Sequence, residues 1–109
     1  MTVFEIKRND TKPVLGVTLQ YTNGSAVDLT GGSVFFNMAS NDNLFTSIFS
    51  GAAVITGSDT GQVEYRWSGT DTNRSGTYLG EFECEWTGST MTLPSDHSLI
   101  VKIFEDYDS

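Results

Sequence analysis

The sequence contains one cysteine, Cys84, one histidine, His97, and two prolines in 109 residues. A single cysteine cannot form an internal disulfide, so the core must be stable without one, as in a reducing cytosol. One cysteine and one histidine are too few for a zinc site, because such sites take most of their ligands from these two residue types. We therefore expect no metal and no other cofactor.

Residue patterns that support catalysis are scarce as well. His97 lies in a turn-like segment, Pro94-Ser95-Asp96-His97-Ser98. Acid–base and nucleophilic catalysis need a base held against its partner, whereas successive residues of a loop usually point apart. The sequence therefore predicts a turn before a strand at this point, and no enzyme activity.

Basic residues are few. Fourteen acidic residues against six basic ones give a formal charge of −8. A phosphate backbone would be repelled by this charge unless the cations were gathered on one face. Lys7, Arg8 and Lys12 are close in sequence, but so short a group is typical of solvated charges at strand ends. We expect no nucleic-acid partner.

Long apolar runs are missing too. The chain begins Met-Thr-Val-Phe-Glu-Ile, without a basic segment followed by a long apolar stretch, and its apolar runs are far shorter than a membrane span. These features predict a soluble protein without a membrane partner.

What the sequence does contain is alternation. Five segments place apolar side chains at every second position, which indicates strands with one buried face. These predicted inward residues are Leu15, Val17 and Leu19; Val34, Phe36 and Met38; Val63, Tyr65 and Trp67; Tyr78, Phe82, Cys84 and Trp86; Leu99, Val101 and Ile103. The intervening residues are mostly polar, as in antiparallel sheets with one solvated side. The sequence predicts an all-β sandwich of two sheets.

Length and turn residues support the same architecture. A chain of 109 residues fits one domain, residues 1–109, that buries about two thirds of its unfolded surface. Turns are predicted at Asn23-Gly24, Gly31-Gly32, Ser58–Gly61 and Thr87–Ser89, where residues tolerate positive φ or bond their own backbone.

The segment from Leu44 to Phe49 is ambiguous, because its apolar spacing also suits a short helix. Its Phe, Ile and Thr residues favour a strand, which we expect to end at Gly51. Ala53 to Ile55 would then return as the second arm of a hairpin.

Aromatic residues divide into two groups. Tyr65, Trp67, Tyr78 and Trp86 are in register with apolar neighbours, which favours the core over a sugar-stacking platform. Several apolar residues out of register cannot all face inward, and the candidates are Val3 or Phe4, Phe35, Phe45 or Phe49, and Phe104. From this set we predict a partner surface that includes Phe45, Phe49 and Phe104.

A series of segments in fixed order spans nearly the whole chain. The segments are Asn9-Asp10-Thr11-Lys12-Pro13-Val14, Val27-Asp28-Leu29-Thr30-Gly31, Gly61-Gln62-Val63-Glu64-Tyr65-Arg66-Trp67, Gly76-Thr77-Tyr78-Leu79-Gly80-Glu81-Phe82-Glu83, and Pro94 before the last strand. With them the chain resembles a family of tailed-bacteriophage virion modules, best known as the N-terminal immunoglobulin-like domain of upper baseplate proteins. Asn9 stands where the family usually has glycine, and asparagine tolerates the left-handed conformation.

The resemblance implies an immunoglobulin-like antiparallel β-sandwich of seven to nine strands. It also implies a structural or adaptor subunit of the tail, baseplate or neck, present in several copies in a symmetric virion assembly. Its partners would be other virion proteins, and assembly would take place in the host cytoplasm. Two alternatives stay open: a capsid decoration protein, and a module that binds carbohydrate on the host surface.

Overall fold

The computed structural model of the protein describes residues 2–41, 47–94 and 99–105, and these residues form nine β-strands and no helix. The strands are β1 (Thr2–Lys7), β2 (Leu15–Thr18), β3 (Ser33–Ser40), β4 (Ser47–Ala52), β5 (Val54–Gly57), β6 (Gln62–Tyr65), β7 (Gly76–Trp86), β8 (Ser89–Leu93) and β9 (Leu99–Phe104). Within these ranges no helix is long and apolar enough to cross a membrane. The prediction of an all-β fold is confirmed.

The strands form two sheets that pack as a sandwich. The larger sheet has the order β1-β9-β7-β3-β4, with β8 also paired to β7, and the smaller sheet has the order β2-β6-β5. All pairs are antiparallel except β1 with β9, which is parallel. The long strand β7 pairs with β3 along one edge, and β9 and β8 share its other edge in succession.

The predicted inward faces form the core. Apart from Val17 and Trp86, which are partly buried and pack against it, every residue of the five alternating sets is buried. Aromatic rings fill the centre: Phe36 lies 4.9 Å from Tyr65 and 5.1 Å from Phe82, measured between ring centroids. Such ring pairs stabilise beyond the apolar area that they bury.

Turn residues close the loops as the sequence predicts. Asn9 has a φ of 69°, and Gly61 has a φ of 71°. Gly61 is required for a second reason, because a Cβ atom there would lie 2.5 Å from the Leu19 carbonyl oxygen. Turns also occur at Asn23-Gly24, at residues 58–61 and at Thr87-Gly88.

The expected hairpin between the 44–49 segment and Ala53–Ile55 is wrong. The strand β4 continues through Gly51 and pairs with β3, whereas β5 belongs to the smaller sheet. Ala53, directly after β4, donates its N–H to the Val34 carbonyl of β3 at 2.9 Å. The chain then crosses to the smaller sheet, where β5 begins at Val54. Gly51 lies inside β4, opposite Phe36, and the absence of a side chain there makes room for the Tyr65 ring.

The sequence did not single out β8. Its residues Met91 and Leu93 are only half-buried, and both pack against the core. The alternation in β8 is weak because the remaining residues are threonine and serine, which suit either face of a sheet.

Candidate interaction surfaces

The predicted partner residues Phe49 and Phe104 are not neighbours. Phe49 lies on β4 and Phe104 on β9, with two strands of the larger sheet between them. They also differ in environment, since Phe49 packs against the core while Phe104 is 46% exposed. Phe45 lies outside the described residues.

Phe49 belongs largely to the aromatic core. Its ring centroid lies 5.8 Å from Tyr65, 5.9 Å from Phe36 and 6.2 Å from Trp67. The remaining exposed part of Phe49 lines a cavity of about 480 Å³ between β4 and the turn at residues 70–74.

Phe104 belongs to a second exposed surface, at the corner formed by β1 and β9. The pairing register sets Phe104 beside Lys7 and Val3 beside Ile100 on the outward side of the larger sheet. Val3 is as exposed as Phe104, at 46%, but lies at the other end of the β1–β9 pair, with Glu5 and Lys102 between the two. Alternation along β1 identifies this surface, because Phe4 and Ile6 face inward and leave Val3 and Lys7 outside.

The three cations near the N-terminus are placed at the end of this corner. Lys7 and Lys12 are exposed, and Arg8 forms an ion pair with Glu105 at 3.1 Å. An ion pair between partly exposed side chains stabilises a fold by about 1 kcal/mol or less. Lys7 and Lys12 are therefore solvated charges near the end of β1, whereas Arg8 is paired with Glu105.

The outward side of β7 carries the opposite charge. Glu81, Glu83 and Glu85 occupy alternate positions there, beside the polar residues Asn37 and Ser33 of β3. Carboxylates two residues apart on one strand are separated by about 7 Å. The larger sheet thus presents an acidic central strand and a basic, partly apolar corner.

The turn at residues 68–75 is held by internal hydrogen bonds. Asp71 Oδ2 accepts the Tyr65 hydroxyl at 2.6 Å and the Ser68 backbone N–H at 2.9 Å. Burial and the bond to Asp71 raise the pKa of Tyr65 above its usual range. The buried Thr72 donates its hydroxyl to the Asp10 carbonyl at 2.8 Å. Asp71 and Thr72 therefore hold this turn as a structural corner.

Cys84 is fully buried, opposite Val34 and Met91. Burial, together with the neighbouring charge of Glu83, raises the pKa of its thiol. A protonated, inaccessible thiol is a poor nucleophile, so Cys84 is a core residue as predicted. The segment Ser95-Asp96-His97 lies outside the described residues, and so do Asp106 and Asp108.

The aromatic residues considered for sugar stacking lie in the core or pack against it. Tyr65, Trp67 and Tyr78 are buried, and Trp86 is half-buried against the same cluster. A stacking platform needs exposed ring faces, so these four residues do not provide one.

Comparison with models of known protein families gave no match, and a search of curated proteins gave none.

Proposed function

We propose that this protein is a structural or adaptor subunit of a tailed-bacteriophage virion, in the tail, baseplate or neck, and that it acts through contacts with other virion proteins. The proposal starts from the ordered segments that resemble the phage modules. One observation carries it: two of these segments contain β6 and most of β7, and two others, at residues 9–14 and 27–31, form loops whose backbone bonds to distant parts of the chain, so together they extend through the sandwich.

Two of the segments show this most clearly. Asn9, in the first, adopts the left-handed conformation and donates its N–H to the Thr72 carbonyl at 3.0 Å. Gly61, which begins the third, accepts the Leu19 N–H at 2.7 Å. Both residues join distant parts of the chain through backbone geometry, which few other residue types permit.

We further infer that the sandwich is immunoglobulin-like. The order β9-β7-β3-β4 corresponds to strands G-F-C-C′ of that fold, and β2-β6-β5 corresponds to B-E-D. Tyr78, near the start of β7, donates its hydroxyl to the Ser75 carbonyl at 3.1 Å, as in a tyrosine corner. The additional arm β8 is a departure from this plan.

A function in which the protein holds other virion proteins in position agrees with the surfaces described above. The larger sheet exposes Phe104 beside Lys7 at one end of the β1–β9 pair and Val3 at the other, and its acidic strand β7 could face basic groups of a partner. In a symmetric ring, many copies of a weak contact add up to a stable assembly.

The direct test is cryo-electron microscopy of the virion that carries this protein, at side-chain resolution. A ring of copies at the neck, tail or baseplate is the expected result. Copies spread over the capsid lattice would instead establish a decoration protein. Particles in which no density fits the chain would reject a virion role.

A further inference from the structure

The smaller sheet ends in an unpaired edge at β2. Among the described residues β2 pairs only with β6. Leu19 donates its N–H to the Gly61 carbonyl at 2.7 Å and accepts the Val27 N–H at 3.0 Å, so this residue bonds toward the interior of the sheet. Because bonding directions alternate along an antiparallel strand, the N–H and C=O groups of Gly16, Thr18 and Gln20 point to the open edge.

The edge strand β2 is short, at four residues, but it lacks the other usual protections. Natural sheets protect open edges with charged side chains, prolines or bulges. The stretch from Val14 to Tyr21 contains no charged residue and no proline. Val14 and Tyr21, at its two ends, are 37% and 45% exposed and are among the most exposed large apolar residues described. An edge of this kind invites pairing with another strand.

An apolar groove runs beside this edge, at the seam between the two sheets. It has a volume of about 240 Å³. Val17, Leu19 and Tyr21 line one side, and Phe82, Leu93 and Leu99 line the other. Among the described residues that line it, Thr18 and Gln20 are polar and none is charged, so an apolar side chain suits the groove.

We propose that the β2 edge and this groove bind an extended segment of a partner protein by strand addition. The partner backbone pairs with Gly16, Thr18 and Gln20, and its alternate side chains are apolar and enter the groove. An extended strand is the occupant because only its backbone matches groups repeated every two residues, about 7 Å apart. In the immunoglobulin topology proposed above, this edge is the place of strand A.

Charge distinguishes a partner from a second copy. Two copies of this chain, each with a formal charge of −8, repel one another, and an edge-to-edge pair would gain no opposite charge. A partner segment flanked by lysine or arginine is attracted instead. Strand addition at β2 is a property of the isolated protein, so its test does not depend on a role in a virion.

The probe is a synthetic peptide of alternating valine and threonine with two lysines at each end. Amide hydrogen exchange of the ¹⁵N-labelled protein is measured with and without the peptide. We expect exchange at Gly16, Thr18 and Gln20 to slow by about tenfold or more, because these amides gain acceptors. A control peptide of equal length and charge, with proline replacing threonine, should give no protection because it cannot pair along its length.

Two pairs of variants test the two parts of the site. Thr18→Pro removes the outward N–H, whereas Thr18→Val keeps it; we expect binding to weaken about fivefold to tenfold only in the proline variant. Tyr21→Ser should weaken binding through the groove, while Val3→Ser, which alters an equally exposed residue, should not. Circular dichroism checks that each variant is folded. If Thr18→Pro does not fold, the comparison of Tyr21→Ser with Val3→Ser tests the site.

Three results would overturn the proposal. One is equal protection at the edges of β1, β4, β5 or β8, which would make peptide binding nonspecific. Another is unchanged affinity in folded Thr18→Pro or in Tyr21→Ser. The third is protection that appears without peptide as the protein concentration is raised, which would identify a second copy as the occupant.

Discussion

The Tyr65 hydroxyl lies 2.6 Å from Asp71 Oδ2 and links the end of β6 to the turn that leads into β7. Tyr65 also packs against Phe36 and Phe49, so one side chain joins the aromatic core to a polar corner. The same Asp71 oxygen accepts the Ser68 N–H, so one carboxylate oxygen joins Tyr65 to the turn.

Tyr65→Phe should therefore destabilise the fold without opening a cavity. A hydrogen bond to a charged group contributes about 1.5–3 kcal/mol, and we expect a loss near the lower end because Asp71 is only half-buried. Urea unfolding measures the change. Tyr21→Phe, at an exposed tyrosine, is the control; an equal effect of the two variants would show that the bond to Asp71 adds nothing.

The burial of Tyr65 and its bond to Asp71 also predict a dependence of stability on pH. The pKa of Tyr65 is raised in the folded state, so the folded protein holds this proton more tightly than the unfolded chain. The stabilisation is complete below the ordinary tyrosine value of about 10 and is lost as pH rises above it. Between pH 8 and 11 the free energy of unfolding should fall more steeply with pH in the wild type than in Tyr65→Phe. Parallel curves would contradict this assignment.

Phe82→Ala tests the register of β7. Phe82 is fully buried and contacts the Phe36 ring, so its truncation should cost about 3–5 kcal/mol. Phe104→Ala, at the exposed corner, should change stability by less than about 0.5 kcal/mol. A loss under about 1 kcal/mol for Phe82→Ala would mean that the strand presents its other face.

Gly51→Ala tests how closely the two sheets approach. A Cβ atom at Gly51 would lie 2.6 Å from the Tyr65 hydroxyl oxygen and 2.9 Å from its ring. Displacing this buried ring should cost about 1–3 kcal/mol. At Gly16 an added Cβ meets nothing within 4 Å, so Gly16→Ala is the matched control. Thermal unfolding that ranks the two variants equally would rule out the close contact.

Phe49 and Phe104 should respond differently when changed to serine. Phe49→Ser removes three ring contacts from the core and should destabilise the isolated protein by about 2–4 kcal/mol, somewhat less than a fully buried ring. Phe104→Ser should leave stability unchanged and weaken assembly, if the β1–β9 corner contacts a partner. Urea unfolding and incorporation into virions, measured in parallel, separate the two effects. Normal incorporation of Phe104→Ser would remove that corner from the partner surface.

Local sequence signals accounted for most of the strands. The alternation in β3, β7 and β9 identified their buried faces, because every second side chain of a strand lies on the same side whatever the strand's neighbours are. The turn at Gly61 was predicted for a similar reason, since its backbone conformation is one that glycine adopts without strain. These features depend on residues close together in the chain.

Partner choice between strands was not accessible in this way. Nothing in Ser47–Gly57 distinguishes a hairpin from a crossing between sheets; the crossing is determined by β3, which binds β4, and by β6, which binds β5. The unpaired edge at β2 could not be predicted from the sequence either, because an edge is open only where no other strand pairs with it. Periodicity along a chain specifies which face of a strand is buried, whereas pairing depends on hydrogen bonds and packing between residues far apart in sequence.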